Sequence, residues 1–375
     1  MIRIGITGKS GFIGTHLSNN IYLFKNKYQL IDFEDSDFLD LNKMKNFVEQ
    51  CDVIIHLAAL NRHSDPAEIL KINVKLVEQL IDAIKLTNSK PHVIFSSSTQ
   101  EDRENAYGSS KKIGRELFEN WAVKNNNPFT GLIIPNVFGP FGVPFYNSFI
   151  STFSYQLTNN QNPSIEIDAE IGFIYIDELV KQILNIIEKG NTGIETIRIK
   201  ETSRAKVTKV LAILEEFKKQ YLDQGIIPDL STDFRVNLFN TFRSYIILND
   251  HFPFHYKQHI DDRGSFVEIL KLNSGGQVSY STSKPGITRG NHFHTRKIER
   301  FAVIKGEAMI RMRKINTNEI FEFKLNENDP SFVDMPVWFT HNITNTGQSE
   351  LITMFWINEF YNENDSDTYF EKIEL

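Results

Sequence analysis

The feature that most constrains the fold of this chain is an alternation of short apolar runs and longer amphipathic stretches over residues 1 to 190. The runs IRIGITG (2–8), VIIHLAA (53–59) and HVIFSSS (92–98) are separated by stretches such as FIGTHLSNNIYLF (12–24) and ILKINVKLVEQLIDAIKL (69–86). Strands of a parallel sheet are covered by helices on both faces and are therefore apolar throughout. The pattern predicts a Rossmann-type, doubly wound parallel sheet.

The pattern of residue types along the chain changes after about residue 250. Short segments rich in β-formers, such as GSFVEILKL (264–272) and LITMFWINEF (351–360), are separated by Gly, Asn, Asp and Pro. This pattern is typical of an all-β sandwich or barrel. We therefore predict an α/β domain over residues 1–248, followed by an all-β domain over residues 249–375.

Composition limits the partners and the compartment. The 375 residues carry a net charge of -6 with mixed signs, which argues against a nucleic-acid or anionic-membrane partner. A lone cysteine, Cys51, excludes an internal disulfide, and a strand-like run from residue 2 leaves no room for a signal peptide. No apolar run approaches the roughly 18 residues of a membrane span. We expect a cytoplasmic protein with a small anionic ligand.

Three glycines lie between the first predicted strand and helix. Gly8, Gly11 and Gly14 form G-x-x-G-x-x-G. Glycines here let the backbone approach a pyrophosphate, whose charge is met by the amides and dipole of the helix N-terminus. A tight turn without a ligand is the alternative, but the position at the first βα turn favours a nucleotide.

A second motif follows the strand HVIFSSS. Tyr107 and Lys111 are four residues apart, so their side chains project from one helix face and the cation favours the phenolate. Such a tyrosine can give a proton to a carbonyl oxygen while a nicotinamide supplies hydride. Ser98 can hydrogen-bond the same carbonyl, or it can belong to a polar turn. Tyr-x-x-x-Lys is common on helix surfaces, but a glycine loop upstream favours catalysis.

These residues resemble the extended short-chain dehydrogenase/reductases, many of which act on nucleotide sugars. HLAA (56–59), PNVFGP (135–140) and FIYIDELV (173–180) belong to the same likeness. It implies catalysis by Ser98, Tyr107 and Lys111, and a substrate contact from Asn136. Asp32 favours NADH through the ribose hydroxyls, whereas Lys9 and Arg62 favour the 2'-phosphate of NADPH, which we prefer. The implied cofactor-binding set is Gly8, Lys9, Gly11, Phe12, Ile13, Gly14, Asp32, Asp40, Leu41, Leu57, Ala58, Ala59, Arg62, Tyr107 and Lys111.

The C-terminal part carries a metal-ligand pattern. His292 and His294 alternate along a predicted strand, Glu299 follows them, and His341 lies in PVWFTHNITN (336–345). Imidazoles and a carboxylate suit a divalent metal, and zinc is the ordinary choice without redox chemistry. The spacing resembles the cupin family, which implies a jelly-roll β-barrel. Histidines that only cap strands are the alternative.

A further likeness covers essentially the whole chain. DDRGSFVEI (261–269), SKPGITRGNH (283–292) and DTYF (367–370) resemble bifunctional capsule-biosynthesis enzymes that join a reductase to a cupin. It implies that the cupin epimerises C3 of a UDP-2-acetamido-2,6-dideoxy-4-hexulose. The reductase then reduces C4 to give UDP-2-acetamido-2,6-dideoxy-L-talose, a precursor of N-acetyl-L-fucosamine. The likeness also implies substrate contacts from Arg263, Lys284 and Arg289, and a homodimer.

Two other interpretations use the same motifs. The first is an NAD-dependent 4-epimerase or dehydratase with a structural cupin. Thr99 and Gln100 stand where a dehydratase normally has Asp-Glu after the serine, which argues against that reaction. The second is a non-catalytic sugar-binding protein, which the intact Tyr107 and Lys111 disfavour.

Overall fold

A computed structural model describes residues 1–190 and 192–374, and these group into two compact units. The first unit comprises Met1–Phe138, Tyr146–Ser148 and Ala169–Ala205. The second comprises Gly139–Phe145, Phe149–Asp168 and the chain from Lys206 to its end. This grouping is by proximity, so a domain boundary at 248/249 stays a prediction.

The first unit is an α/β layer structure. Its strands are β1 (Ile2–Thr7), β2 (Tyr28–Ile31), β3 (Val53–His56), β4 (His92–Ser98), β5 (Phe129–Ile134), β6 (Asn136–Phe138), β7 (Glu170–Tyr175), β8 (Ile194–Arg198) and β9 (Ser203–Lys206). Its helices are α1 (Phe12–Leu23), α2 (Leu41–Gln50), α3 (Pro66–Thr87), α4 (Ala106–Asn125) and α6 (Ile176–Lys189); α5 (Phe149–Thr158) belongs to the second unit.

Parallel pairing organises the main sheet of the first unit. Within the described residues it has six strands in the order β2-β1-β3-β4-β5-β8. Each pairing of neighbours is parallel. The predicted Rossmann-type sheet is therefore confirmed. Because parallel strands end at one edge, the residues that follow β1, β3 and β4 lie along the same side of the sheet.

Apolar side chains from the helices cover this sheet. Val77 and Leu80 of α3 and Phe118 and Trp121 of α4 are buried in one cluster with Phe95 of β4. Within each helix the two residues are three positions apart, which places them on one helix face. The packing makes a rigid base for the loops at the carboxyl edge.

The second unit combines short helices with antiparallel sheets. Its helices are α5 (Phe149–Thr158), α7 (Val207–Phe217), α8 (Asp233–Arg243) and α9 (Leu248–His251). Its strands are β10 (Phe254–His255), β11 (Gln258–Asp261), β12 (Gly264–Val267), β13 (Gln277–Ser283), β14 (Thr288–Phe293), β15 (Glu299–Lys305), β16 (Glu307–Lys314), β17 (Ile320–Asn326), β18 (Ser331–Met335), β19 (Phe339–Asn345), β20 (Leu351–Ile357) and β21 (Tyr369–Phe370).

Two sheets account for most of these strands. In the described part of the chain they run β10-β18-β15-β20-β13 and β17-β16-β19-β14-β21, and β11 and β12 form a separate hairpin. Pairing within both sheets is antiparallel. The predicted all-β region is confirmed. Among the described residues, no helix combines the length and the apolar character that crossing a membrane requires.

A buried ion pair joins two strands of the first of these sheets. Arg300 on β15 donates from Nε to Asp334 Oδ1 at 2.8 Å and from Nη2 to Oδ2 at 2.9 Å, and both side chains are fully buried. The guanidinium also donates to the carbonyl of Gly225 at 2.6 Å and lies 3.5 Å from the ring centre of Phe332. A buried guanidinium strongly destabilises the folded protein when its carboxylate partner is removed.

We therefore expect Asp334→Ala to lower the free energy of unfolding by about 3–5 kcal/mol, because it leaves the Arg300 charge buried and unpaired. Urea denaturation followed by tryptophan fluorescence measures the change. Glu322→Ala removes a pair with Arg311 whose side chains are 39% and 50% exposed, so its cost should stay below about 1 kcal/mol. Equal losses in the two variants would contradict the prediction.

Candidate active site and metal centre

The glycine loop lies between β1 and α1 as predicted. Gly8 has φ +71°, and a Cβ there would lie 2.8 Å from the amide nitrogen of Ala58. A Cβ on Gly14 would lie 2.4 Å from the carbonyl oxygen of Gly8. Gly11 precedes the helix, and in the described chain no side chain caps its first turn. The loop is thus a close-packed cradle whose helix amides suit a pyrophosphate.

Four of the predicted cofactor-binding residues, Lys9, Asp32, Leu57 and Ala58, have contacts beside the glycine loop. Lys9 Nζ is 3.5 Å from Asp32 Oδ1, beside the end of β2. Leu57 and Ala58 follow β3 and donate backbone hydrogen bonds to Thr7, at 3.1 Å to its carbonyl and 3.4 Å to its hydroxyl. These residues border the glycine loop. Phe12 and Ile13 begin α1 and Ala59 continues the β3 loop, and their contacts with a cofactor stay predictions.

Of the three other predicted cofactor-binding residues, Asp40 and Arg62 have local partners in the structure. Asp40 caps α2 by accepting hydrogen bonds from the amides of Asn42 and Lys43, and Leu41 begins that helix half exposed. The Arg62 guanidinium lies 5.8 Å from the ring centre of Tyr146. Contacts of these side chains with an adenosine stay predictions.

Tyr107 and Lys111 lie on the first turns of α4. Lys111 is buried, its Nζ donates to Ser96 Oγ at 3.4 Å, and it lies 5.6 Å from the ring centre of Tyr107. Ser98 ends β4, and its hydroxyl oxygen accepts a hydrogen bond from the amide of Gln100 at 3.2 Å. The serine therefore stabilises a turn, as the alternative interpretation expected, while its hydroxyl hydrogen can still be donated.

Burial sets the protonation of this pair. It raises the pKa of Tyr107 to about 12, with a further contribution from the phenol of Tyr146. Burial also lowers the pKa of Lys111 to about 8. The expected preference for the phenolate is not seen, because desolvation and then Tyr146 both raise the pKa of the phenol. A neutral phenol at physiological pH is the form that can donate a proton.

Sequence reasoning missed the residues that hold this arrangement. A Cβ on Gly108 would lie 2.0 Å from the carbonyl oxygen of Gln100, so only glycine lets the start of α4 approach the turn that follows Ser98. Glu101 anchors that turn through hydrogen bonds from Ser97 and Arg115. The dipeptide Tyr107-Gly108 was a sequence signal for the glycine, but no local pattern marks Glu101.

The predicted substrate residues lie in different settings. Asn136 belongs to the first unit and donates to the carbonyl of Gly172 at 3.3 Å. In the second unit, Arg263 lies on the β11–β12 turn, 90% exposed and paired with Asp261 at 2.6 Å. Lys284 follows β13 and is exposed. Contacts of these three side chains with a substrate stay predictions.

Arg289 has a closer relation to the histidines. Arg289 pairs with Ile343, and His292 pairs with His341. A bulge lies between Gly290 and His292. Residues 341 and 343 share a face of β19, so Arg289 and His292 share a face of β14 although an odd number separates them. The left-handed φ of +59° at Asn291 accompanies this shift. The arginine thus lies on the strand face that carries two metal-ligand candidates.

Four side chains converge in the second unit. One ligand atom each from His292, His294, Glu299 and His341 lies within 4.8 Å of the others. His294 Nε2 and His341 Nε2 are 3.1 and 3.2 Å from Glu299 Oε2. Among the described residues, these three buried atoms have no hydrogen-bond partner outside the group. Buried polar atoms need partners, so this donor set fits a divalent ion.

Charge in this group also suits a cation. Although burial opposes it, His294 and His341 hold the pKa of the Glu299 carboxyl below its usual range. Burial and the neighbouring imidazoles of His341 and His294 lower the pKa of His292 to about 4. Although burial opposes it, Glu299 raises the pKa of His294 above its usual range, so that ring must release a proton when it binds metal as a neutral imidazole. The four predicted ligands are therefore brought together.

Two family descriptions match the chain. Residues 4–199 match the NAD dependent epimerase/dehydratase family, and residues 259–369 match the polysaccharide biosynthesis C-terminal domain. A reductase of UDP-2-acetamido-2,6-beta-L-arabino-hexul-4-ose from Pseudomonas aeruginosa is 28% identical over 369 residues, with 98% of each chain covered.

Solved structures show the same extent of similarity. The capsular polysaccharide assembling protein CapF from Staphylococcus aureus is 31% identical, with a TM-score of 0.62, and the match covers 99% of this chain and 100% of that one. A UDP-glucose 4-epimerase from Thermotoga maritima is 19% identical, with a TM-score of 0.55, and covers 65% of this chain and 98% of its own. The last likeness shows a shared fold.

We expect purified protein to carry about one equivalent of divalent metal and His341→Ala to lose most of it, because the variant removes one of four ligands. Elemental analysis gives the metal content, and thermal unfolding should show a lower transition for the variant because metal binding contributes to folding. His255→Ala is the control, since His255 is half exposed in the same unit and pairs with Asp329. Less than about half an equivalent in every protein would contradict the metal site.

Proposed function

Because the chain belongs to the NAD dependent epimerase/dehydratase family, we propose that it is a bifunctional enzyme acting on a UDP-sugar in surface-polysaccharide synthesis. The first unit would reduce the C4 ketone of a UDP-2-acetamido-2,6-dideoxy-4-hexulose. The four-ligand group of the second unit would support epimerisation at C3. The product would be UDP-2-acetamido-2,6-dideoxy-L-talose, a precursor of N-acetyl-L-fucosamine.

The observation that carries this proposal is that both candidate sites occur in a chain that matches its relatives from end to end. The P. aeruginosa relative is named as a reductase of a 4-keto UDP-sugar, and 98% of its length is covered. CapF is named as a capsular polysaccharide assembling protein and is covered completely. A 4-epimerase or dehydratase alone would leave the convergent histidines without a catalytic role.

The chain's own residues account for the reduction. Ser98 donates a hydrogen bond to the C4 oxygen, and Tyr107 donates its proton to that oxygen as the ketone becomes an alcohol. Lys111 holds a positive charge 5.6 Å from the centre of the phenol ring, where it stabilises the phenolate left behind. A bound nicotinamide would supply the hydride, and Gly8, Gly11 and Gly14 would hold its pyrophosphate.

The cofactor we propose is NADPH. Lys9 lies 3.5 Å from Asp32, so the carboxylate that would repel a 2'-phosphate has a cation beside it. The Asp32 side chain is 99% exposed, and an exposed pair of this kind is weak enough for Lys9 to bind phosphate instead. Arg62 is a second cation on the neighbouring loop. NADH stays the less favoured cofactor.

Epimerisation at C3 depends on the same ketone. A C4 carbonyl acidifies the C3 proton, so a base can remove it and a proton can return from the other face. His292, His294, Glu299 and His341 would hold a divalent ion, for which we propose zinc, and such an ion stabilises negative charge on oxygen. Arg289, on the same face of β14, can bind an anionic part of the substrate. Reduction at C4 then removes the acidity and preserves the new stereocentre.

We expect Tyr107→Phe to slow ketone reduction on the order of 10²-fold or more, because the proton donor is lost. The experiment follows nicotinamide absorbance with a UDP-4-keto sugar as substrate. Deuterium uptake at C3 from heavy water should persist in the variant, because that reaction is assigned to other residues. Tyr22→Phe removes a hydroxyl from the exposed face of α1 and is the matched control.

Near wild-type reduction by Tyr107→Phe would remove this tyrosine from the mechanism. Absence of C3 exchange in the wild-type protein would favour a reductase or 4-epimerase with a structural β domain. Absence of both reactions would favour a sugar-binding protein.

A further inference from the structure

The segment DTYF near the chain end has no role in the reactions above, yet its first residue is almost completely buried. Asp367 is 5% exposed, and its backbone adopts a left-handed φ of +43°. A carboxylate in such a position needs several hydrogen bonds to offset its desolvation. The identity of its partners therefore shows what the residue holds in place.

The Asp367 carboxylate binds one short stretch of chain. It accepts hydrogen bonds from the amides of Thr295 at 3.1 Å, Arg296 at 2.9 Å and Lys297 at 3.0 Å, and from the Thr295 hydroxyl at 2.7 Å. These residues directly follow His294 and lead to Glu299. The carboxylate thus fixes the backbone between two of the four candidate metal ligands.

The backbone of Asp367 binds the ligand itself. Its carbonyl oxygen accepts a hydrogen bond from His294 Nδ1 at 2.5 Å. With the proton on Nδ1, the lone pair of the imidazole is on Nε2, which lies 3.1 Å from Glu299 Oε2. A carbonyl partner of this kind sets both the tautomer and the ring orientation of a metal-binding histidine.

Neighbouring contacts hold Asp367 against the segment 295–297 that follows His294. Tyr369 and Phe370 pair with Phe293 and His292 as β21 joins β14, and the amide of Glu371 donates to Asn291 at 2.9 Å. On the other side, Lys297 Nζ donates to the carbonyl of Ser366 at 2.6 Å. The chain end therefore continues the sheet that carries two of the candidate ligands.

From these contacts we infer that Asp367 is a positioning residue of the metal centre, which orients His294 through its carbonyl and fixes the loop from 295 to 297 through its carboxylate. The inference rests on the proposed metal centre and adds to it a partner 73 positions from His294 in the chain. Residues that act through a ligand typically change metal affinity by about 10–100-fold when they are replaced.

The test uses the full-length protein, stripped of metal and titrated with zinc against a competing chromophoric chelator. In Asp367→Asn the side chain retains a shape that tolerates a left-handed φ, but one acceptor oxygen becomes an NH₂ group that faces the amide donors. We expect its zinc affinity to fall by about 10–100-fold. Thr295→Val removes only the hydroxyl bond and should give a smaller decrease.

A matched control separates positioning from anchoring of the chain end. Asp365→Asn weakens the contact with Arg296, which is 3.0 Å from the Asp365 carboxylate, and leaves the Asp367 contacts intact. We expect its zinc affinity to equal that of the wild type. The rise in unfolding temperature on adding zinc should shrink in Asp367→Asn and remain unchanged in Asp365→Asn.

Each outcome has one meaning. Wild-type zinc affinity in Asp367→Asn overturns the inference, as does an equal loss of affinity in Asp365→Asn. If Asp367→Asn does not fold, Thr295→Val decides, and unchanged affinity in that variant overturns the inference. A wild-type protein that binds less than about half an equivalent of zinc refutes the metal centre itself, which is a different result.

Discussion

The register of backbone hydrogen bonds between neighbouring strands is the constraint on which both candidate sites depend. In the first unit, parallel pairing of β1, β3 and β4 brings the glycine loop, Ala58 and Ser98 to one edge of the sheet. In the second unit, antiparallel pairing places His292 opposite His341. Neither arrangement requires a contact between the side chains concerned. Backbone hydrogen bonds determine the position of the Cα atom that carries each functional side chain.

A bulge modifies this register on β14, beside the candidate metal ligands. If β14 paired regularly through Asn291, with no bulge, Arg289 and His292 would lie on opposite faces, because successive residues of a strand alternate. With it, a cation and an imidazole lie on one face. The cost is a left-handed backbone at Asn291, a conformation that asparagine tolerates better than most residues. A single residue thus determines which side chains of β14 share a face.

Burial determines the charge states in both units, with opposite results. Around Tyr107 and Lys111 it is the largest cause of both shifts, raising the pKa of the phenol and lowering that of the amine. Around Glu299 two imidazoles outweigh burial and hold the carboxyl in its anionic form. The imidazole nitrogens of His294 and His341 approach the carboxylate oxygen to 3.1 and 3.2 Å, so charge and hydrogen bonding act there at short range. Coulombic attraction falls with distance, and desolvation does not.

The sequence by itself determined the features that depend on residues close together in the chain. The alternation of apolar runs predicted the parallel sheet, and the spacings of Gly8 to Gly14, of Tyr107 and Lys111, and of His292 and His294 predicted which residues share a loop or a face. Only the tertiary structure decided that Gly108 must be a glycine, that Glu101 anchors the turn after Ser98, and that Asp367 holds the loop after His294. These contacts join residues whose separation has no periodicity, and the last spans 72 positions. Local preference depends on a few neighbouring residues, whereas a long-range contact depends on how every intervening strand is paired.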